Sequence, residues 1–539
     1  MDASKVWEEF TEGMSYKRAQ KFDSQCKTNV DMLEGRQWPP ATERTKDLPR
    51  PVINIIEQIG YHKCSTIMAD NIMMTFRPEE MGFEGDASIA DLFSKKAATD
   101  WEELKMNSKN EKGLMVAYSR SNYILHHYMD NDATGGRSLE YIGKIANEII
   151  DPLNFFPGNP KCDDVQKQPY IIIVTRVSVE DIKATAKEKK IDIGLIEAIK
   201  PDIAEDGYGN KNELKGDDKA TVLVRYWRDK TSKTIKFCKC TKSVMFVPET
   251  DTRLKLYPVA SMQWKYKEDS FFGENDVTQI IPNQKAINFM LAMQILSVQL
   301  TGFPKALVRE GRIDLSRLTN TPGEIVVDYS PDENSDAMKY IYPPSMSSDG
   351  PNLVDNLMGY TKNIAGATET STGEVAKAAN MNATAIMLLQ KAAGVPIEGI
   401  KRRFYQMMED VGLIWSDIYQ TYYNTERNID AEDDDGNPIQ IPFRGTDYQD
   451  VPFRLKIEIS PASMYSETMA QTTLDKFFDK GVIDLDEYLE LVPSNVAPFK
   501  DRLKRMIDKK KQEQMQQQQQ MPQQDQSQGM QPQEMPMAG

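Results

Sequence analysis

Apolar residues recur three or four positions apart along much of this chain, the spacing that lines one face of an α-helix. The steadiest run is Ile386, Leu389, Ala393, Ile397, Ile400, Phe404, Met407, Val411, Ile414, Ile418 and Tyr422. It predicts one helix from Ala383 to Tyr423, about 60 Å long at 1.5 Å per residue. A kink is expected where Gly394 and Pro396 interrupt it, because Pro396 lacks the amide that would bond one turn back. A second run, Ile280, Gln284, Ile287, Leu291, Ile295 and Val298, predicts a long helix ending near Gly302 and Pro304. Shorter helical patterns cover Val179–Lys190 and Leu353–Ala365, and two helices around the break GRQWPPATERTKDLPRP account for the chain up to Met68.

From Tyr141 to about Val179 the pattern turns to short apolar runs parted by Pro and Gly, such as LNFFPGNP and YIIIVTRV, which predict strands. TVLVRYW, TIKFCKC and SVMFVP continue the strand signal, with a hairpin turn at Asp229–Ser232. KALVRE and GEIVVDY are short β-like pieces, and IQIPFRG and FRLKIEIS read as a strand pair after the acidic turn AEDDDGNP. Gly366 to Asn382 holds too few large apolar residues for a core element and reads as a loop. Two more helices are expected in SETMAQTTLDKFFDKG and DLDEYLELV, and disorder in the Gln, Met and Pro tail after Lys511. The fold class is therefore α+β, mostly helical. A length of 539 residues implies about three or four packed units.

Composition changes this picture mainly by exclusion. With 40% apolar and 27% charged residues the chain can fold over most of its length. A net charge of -15 opposes a tight grip on nucleic acid, which needs clustered Lys and Arg; it reads first as that of an ordinary acidic protein and also suits a surface that a polyanion barely touches. The one basic concentration, KDRLKRMIDKKK at Lys500–Lys511, reads first as a solvated helix end. Five cysteines, Cys26, Cys64, Cys162, Cys238 and Cys240, make no disulfide framework, so folding in a reducing cytoplasm is expected. DASKVWEEF after Met1 lacks the pattern of a signal peptide, and the most apolar run, Ala286–Leu300, is short and polar for a bilayer span.

Candidate chemistry is sparse. His62, His126 and His127 are the only histidines, and Gly143-Lys144 lacks the flanking residues of a phosphate-binding loop. Cys238 and Cys240 form a CxC on a strand, which could offer two metal ligands on one face, yet no second pair follows, so packing is the expected role. The acidic clusters Asp332–Asp336 and Glu432–Asp435 have the composition of solvated turns. No catalytic residue, metal site or cofactor is expected.

Several segments carry a resemblance. EGRQWPP with RPVINIIEQIG, then NEIIDPLNFFPGNPKCDD, then FFGENDVTQIIPNQKAINFMLAMQI, then TPGEIVVD and the Ala383 helix follow in the order seen in portal proteins of tailed double-stranded DNA bacteriophages. The third is the most specific, and the resemblance spans about Trp7 to Leu503. It implies a non-enzymatic ring, commonly of twelve subunits, with wing, stem, clip and crown regions around an axial channel. On that frame the wing takes 1–271, a stem helix 272–300, the clip 301–349, a second stem helix 350–365 and a channel loop 366–382. The long kinked wing helix takes 383–425, wing strands 426–465, crown helices 466–511 and the tail 512–539.

The implied function is a channel at one capsid vertex for DNA packaging, genome retention and ejection. Thr372, Gly373, Glu374, Lys377, Asn380 and Asn382 would face DNA in the channel loop, and Arg309, Arg312 and Arg317 would contact partners from the clip. Gln284, Asn288 and Gln299 on the stem helix would show neutral polar groups to the lumen. Implied partners are further copies of the chain, the terminase large subunit, a head-tail adaptor, major capsid and scaffolding proteins, and double-stranded DNA, with no membrane. The place of action would be the virion, after synthesis in the host cytoplasm. The rival reading is another structural or internal protein of a phage head.

Overall fold

The computed structural model describes residues 2–78, 86–134, 142–202, 218–302, 305–308, 338–341, 349–367, 383–432, 438–449, 451–461, 474–483 and 488. The chain forms two units, Met1–Asp430 with Gln440–Ile459, and Ala431–Ile439 with Ser460–Gly539. Both helices and strands build the first, as an α+β chain should.

The first unit opens with α1 (Ala3–Ala19) and α2 (Phe22–Leu33), which sequence periodicity merges into one. They separate at Lys21, whose φ of 56° breaks the helical path. α3 (Ile55–Ile67) follows the Pro-rich break, and β1 (Asp70–Pro78), α4 (Asp86–Glu103) and α5 (Met106–Arg120) come next. β2 (Asn122–Thr134) and β3 (Ile142–Ile150) form a hairpin, and β4 (Phe155–Pro157) and β5 (Tyr170–Ser178) begin a second sheet. After α6 (Val179–Glu188) and α7 (Ile193–Glu197), that sheet is completed by β6 (Lys219–Arg228), β7 (Ile235–Cys240) and β8 (Met245–Asp251), in the order β4-β5-β6-β7-β8 and antiparallel throughout.

The run Ile171–Val174 is apolar at every position because both sheet faces are covered. Ile171 and Ile173 belong to the main core, whereas Ile172 and Val174 meet Val6, Phe10 and Met14 of α1. Cys238 and Cys240 share the α1 side, where burial pushes both thiols up, to about 11 and about 12. Arg225 holds α1 in place with two hydrogen bonds to Glu9, of 2.7 and 3.0 Å, its guanidinium lying over Tyr170 and Trp227.

β9 (Val259–Gln263) joins the β2–β3 hairpin in the order β3-β2-β9 and leads into α8 (Val277–Gly302). A short antiparallel pair, β10 (Lys305–Val308) and β11 (Met338–Ile341), precedes α9 (Asp349–Ala365), which starts four residues earlier than its periodicity suggests. α10 (Ala383–Tyr422) confirms the longest predicted helix, with Pro396 inside it. Ile397, Ile400, Phe404, Met407, Val411, Ile414 and Ile418 are all buried. Trp415 donates its indole N–H to Nδ1 of buried His127 at 3.1 Å, which ties α10 to β2.

β12 (Arg427–Glu432), β13 (Pro438–Phe443) and β14 (Phe453–Pro461) end the described strands. Their pairing corrects the expected strand pair: β13 pairs with β12, and β14 pairs with β1 far back in the chain. Local pattern shows that a segment is a strand but does not name its neighbour. In the second unit residues 474–479 are helical, and Tyr488 packs on Phe478 and donates to Asp475 at 2.5 Å.

One buried cation in the first unit makes folding pH-dependent. Lys17 of α1 donates to the carbonyls of Pro152 and Leu153 at 2.8 Å each and lies 3.8 Å from the Phe156 ring centre. Burial pulls its ammonium down to about 7, against the opposing pull of Asp23. Between pH 7 and the ordinary lysine value the unfolded chain then binds more protons, so stability rises with pH, by at most about 1.4 kcal/mol per unit. Urea midpoints at pH 7 and 9 should show this rise in the parent and not in Lys17→Met. An equal slope in both would remove Lys17 as its source.

Candidate assembly surface

The sequence-derived site residues lie where nothing can be said of their placement. Arg309, Arg312, Arg317, Thr372, Gly373, Glu374, Lys377, Asn380 and Asn382 are outside the described residues, as are most of the expected crown helices and the basic segment at Lys500–Lys511. Among the described residues, buried polar contacts and bare apolar surface meet in α8 and the elements that hold its root.

Asp276 precedes α8 and is 2% exposed. Its carboxylate pairs with Lys63 of α3 at 2.6 Å and Lys265 at 2.5 Å, and accepts the indole N–H of Trp264 at 2.9 Å. Burial alone would raise this carboxyl, but the two ammonium groups outweigh it and hold it below the ordinary value. Arg403 of α10 donates to the carbonyls of Gln263 and Trp264, so the longest helix braces the same loop. On the other side, Asn29 of α2 donates to Ser119 O, Asn275 Oδ1 and Thr278 Oγ1 at 2.8, 3.0 and 3.0 Å.

About two turns further along, a chain of side-chain amides ties α8 to the break after α2. Gln284 donates to Ile53 O at 2.6 Å and to Asn288 Oδ1 at 3.0 Å, and accepts from Ile55 N. Asn288 donates to Gln37 Oε1 at 2.6 Å, and Gln37 donates to Met32 O and Asn54 Oδ1. Asn54 in turn donates to Leu33 O and accepts from Glu57 N at the start of α3. The residues that carry the resemblance, in EGRQW, RPVIN and IPNQKAIN, are thus joined in one buried network, which explains polar side chains on an otherwise apolar helix. Gln284 and Asn288 are therefore structural and do not line a lumen, a correction to the expectation from sequence; Gln299 is exposed.

Beyond the root, α8 loses its cover. Ile280 and Ile287 are buried within the chain, but Ile295 and Val298, which continue the same stripe, are 38% and 72% exposed. A second stripe, Phe289, Met293, Leu296 and Leu300, steps by four, three and four residues, and three of the four are exposed. Val298 and Phe289 are nine residues apart, so at 3.6 residues per turn they lie on opposite sides of the helix, about 180° apart. Lys285 is the sole charged residue from Val277 to Gly302. On α9, which packs against α8 with Asn283 donating to Thr361 Oγ1, Leu353, Tyr360 and Ile364 are exposed as well. A groove of about 490 Å³ between Met32, Trp38, Pro39, Lys285 and Phe289 continues the apolar surface.

Bare apolar residues on two opposite sides of a helix belong in the interior of something. Here that interior is not supplied by the described residues of one chain. The second stripe was present in the sequence as a heptad spacing opposite the first, and searching for a single amphipathic face hides it.

A structural component of a larger assembly is what these surfaces describe, and comparison with known families agrees. The chain belongs to the family described as Phage P22-like portal protein, whose sequence model matches residues 172–539. Portal proteins are structural components of the phage virion. No curated protein matches the chain. The first 171 residues lie outside the matched span, yet Gln37, Ile53 and Lys63 bond directly to Asn288, Gln284 and Asp276 within it. None of the described helices is long and apolar enough to cross a membrane.

Proposed function

We propose that copies of this chain close into a ring, commonly of twelve in the family it resembles, at one vertex of the capsid, and that double-stranded DNA is packaged, retained and ejected through its axial channel. The observation that carries this reading is α8, with exposed apolar residues on two opposite sides and a single charge. Surfaces of that kind need cover from neighbours on both sides, and a repeated head-to-tail contact closes into a ring when its rotation divides a full turn. The net charge of -15 fits a conduit that does not hold its polyanion. Electron micrographs of the purified chain should show rings with a central hole; a stable 61.4 kDa monomer under all native conditions would end the proposal.

In this reading α8 and α9 form the stem, residues 301–349 the clip, residues 466–511 the crown and the remaining elements the wing. The clip, through Arg309, Arg312 and Arg317, docks the terminase large subunit during packaging and a head-tail adaptor afterwards, while major capsid and scaffolding proteins surround the ring. Residues 366–382, including Thr372, Gly373, Glu374, Lys377, Asn380 and Asn382, touch the DNA weakly, since only Glu369, Glu374 and Lys377 carry charge there. Deleting most of this loop should leave rings intact and impair genome retention. A deletion that packages and holds a full genome like the parent would refute the placement.

A further inference from the structure

We propose that the two apolar sides of α8 are the two halves of one contact, in which Ile295 and Val298 of one copy seat on Met293, Leu296 and Leu300 of the next. The inference rests on the ring reading above and adds to it which residues meet, in what orientation and at what height. It begins with where the chain's own cover stops. α2, α3, α5 and α9 all pack on α8, and together they bury Ile280, Gln284, Ile287, Asn288 and Ala292. Past Ala292 none of its residues is buried, although Met293, Ile295, Leu296, Val298 and Leu300 are all apolar.

Two properties select a second copy as the occupant. The first is that the bare residues occupy both sides of the helix. A two-fold pair uses the same patch on each partner, so it would cover one side and leave the other in water. Only a contact that joins one side to the opposite side covers both, and such a contact repeats from copy to copy. The second is chemical. Lys285 lies eight residues before Met293, about 12 Å along the helix, so the contact would place no charge in an apolar interface and leave no buried ion without a partner.

Register follows from symmetry. Rotation about a ring axis keeps every residue at its own height, so neighbouring α8 helices point the same way and stay level, and they run parallel when α8 lies along the axis. Val298 of one copy then faces the gap between Leu296 and Leu300 of the next, each two residues away in sequence, about 3 Å above and below. A branched side chain entering a gap between two leucines is the packing seen where parallel helices interlock.

Cysteine pairs in the full-length chain test this contact. Under mild oxidation Leu296→Cys/Val298→Cys and Val298→Cys/Leu300→Cys should each give a ladder of covalent oligomers that reaches the full ring, because each copy offers one thiol to each neighbour. The three single variants and the parent, with its five native cysteines, should give none. Rings in micrographs of both double variants without a ladder would overturn the contact while leaving the ring reading in place. Covalent dimers from any single variant would show a two-fold contact and overturn it as well. Folded chains that form neither rings nor ladders would remove the ring reading and this contact together.

Discussion

Replacing Asp276 by Ala is expected to destabilise the first unit by about 3–5 kcal/mol, the range found when one partner of a buried ion pair is removed. Lys63 is 4% exposed and would be left buried without its partner, and the Trp264 indole N–H would lose its acceptor. Asp276→Asn should cost less, because an amide oxygen can still accept from Trp264, although both ammonium groups remain uncompensated. The carboxyl's lowered pKa gives the pH dependence its sign. The stabilisation is present above the ordinary carboxylate value and is lost as pH falls through the depressed one. Urea midpoints of the parent, Asp276→Asn and Asp276→Ala should fall in that order. An Ala variant as stable as the parent would show that the pair contributes nothing net.

Val298→Asp should have the largest effect on assembly and almost none on the chain itself. Val298 is 72% exposed, so its removal deletes little packing within one copy. In the ring the same position would carry a desolvated, unpaired carboxylate at every contact, a penalty of several kcal/mol. About 3 kcal/mol per contact corresponds to roughly a hundredfold weaker association. Light scattering should show rings only at far higher concentration, with the thermal unfolding of the dissociated chain unchanged. Rings at the parent's concentration would mean that this side of α8 faces solvent in the assembly.

The regions of this molecule that were legible in its sequence are those in which one segment meets its needs locally. α10 and the buried half of α8 announce themselves because a single apolar face repeats over many turns, and β6–β7 because two strands flank a short polar turn. Partner choice over distance was not legible: nothing in FRLKIEIS names β1, some 380 residues earlier, as its neighbour. Gln284 and Asn288 were misplaced for a related reason. An amide reads the same whether it meets water or Gln37, and only the fold brings residues 37, 54, 284 and 288 together. The surface of α8 was half legible, since the first stripe repeats from its buried root onward, while the opposite one, Phe289, Met293, Leu296 and Leu300, begins only beyond it.

The near absence of charge on α8 fixes how an assembly built through it responds to its surroundings. Its cohesion would come from releasing water around Ile, Leu, Met, Val and Phe, with one lysine along 26 residues to contribute Coulomb energy. Such cohesion is not weakened by the charge screening that salt brings, and it weakens on cooling, because the hydrophobic driving force near room temperature is almost entirely entropic. The contacts within each copy that hold the root of α8 are of the opposite kind, ionic and hydrogen-bonded. Cold and acid would therefore act on different joints of the same helix: cold would separate neighbouring copies, and acid would loosen each copy's hold on its own α8.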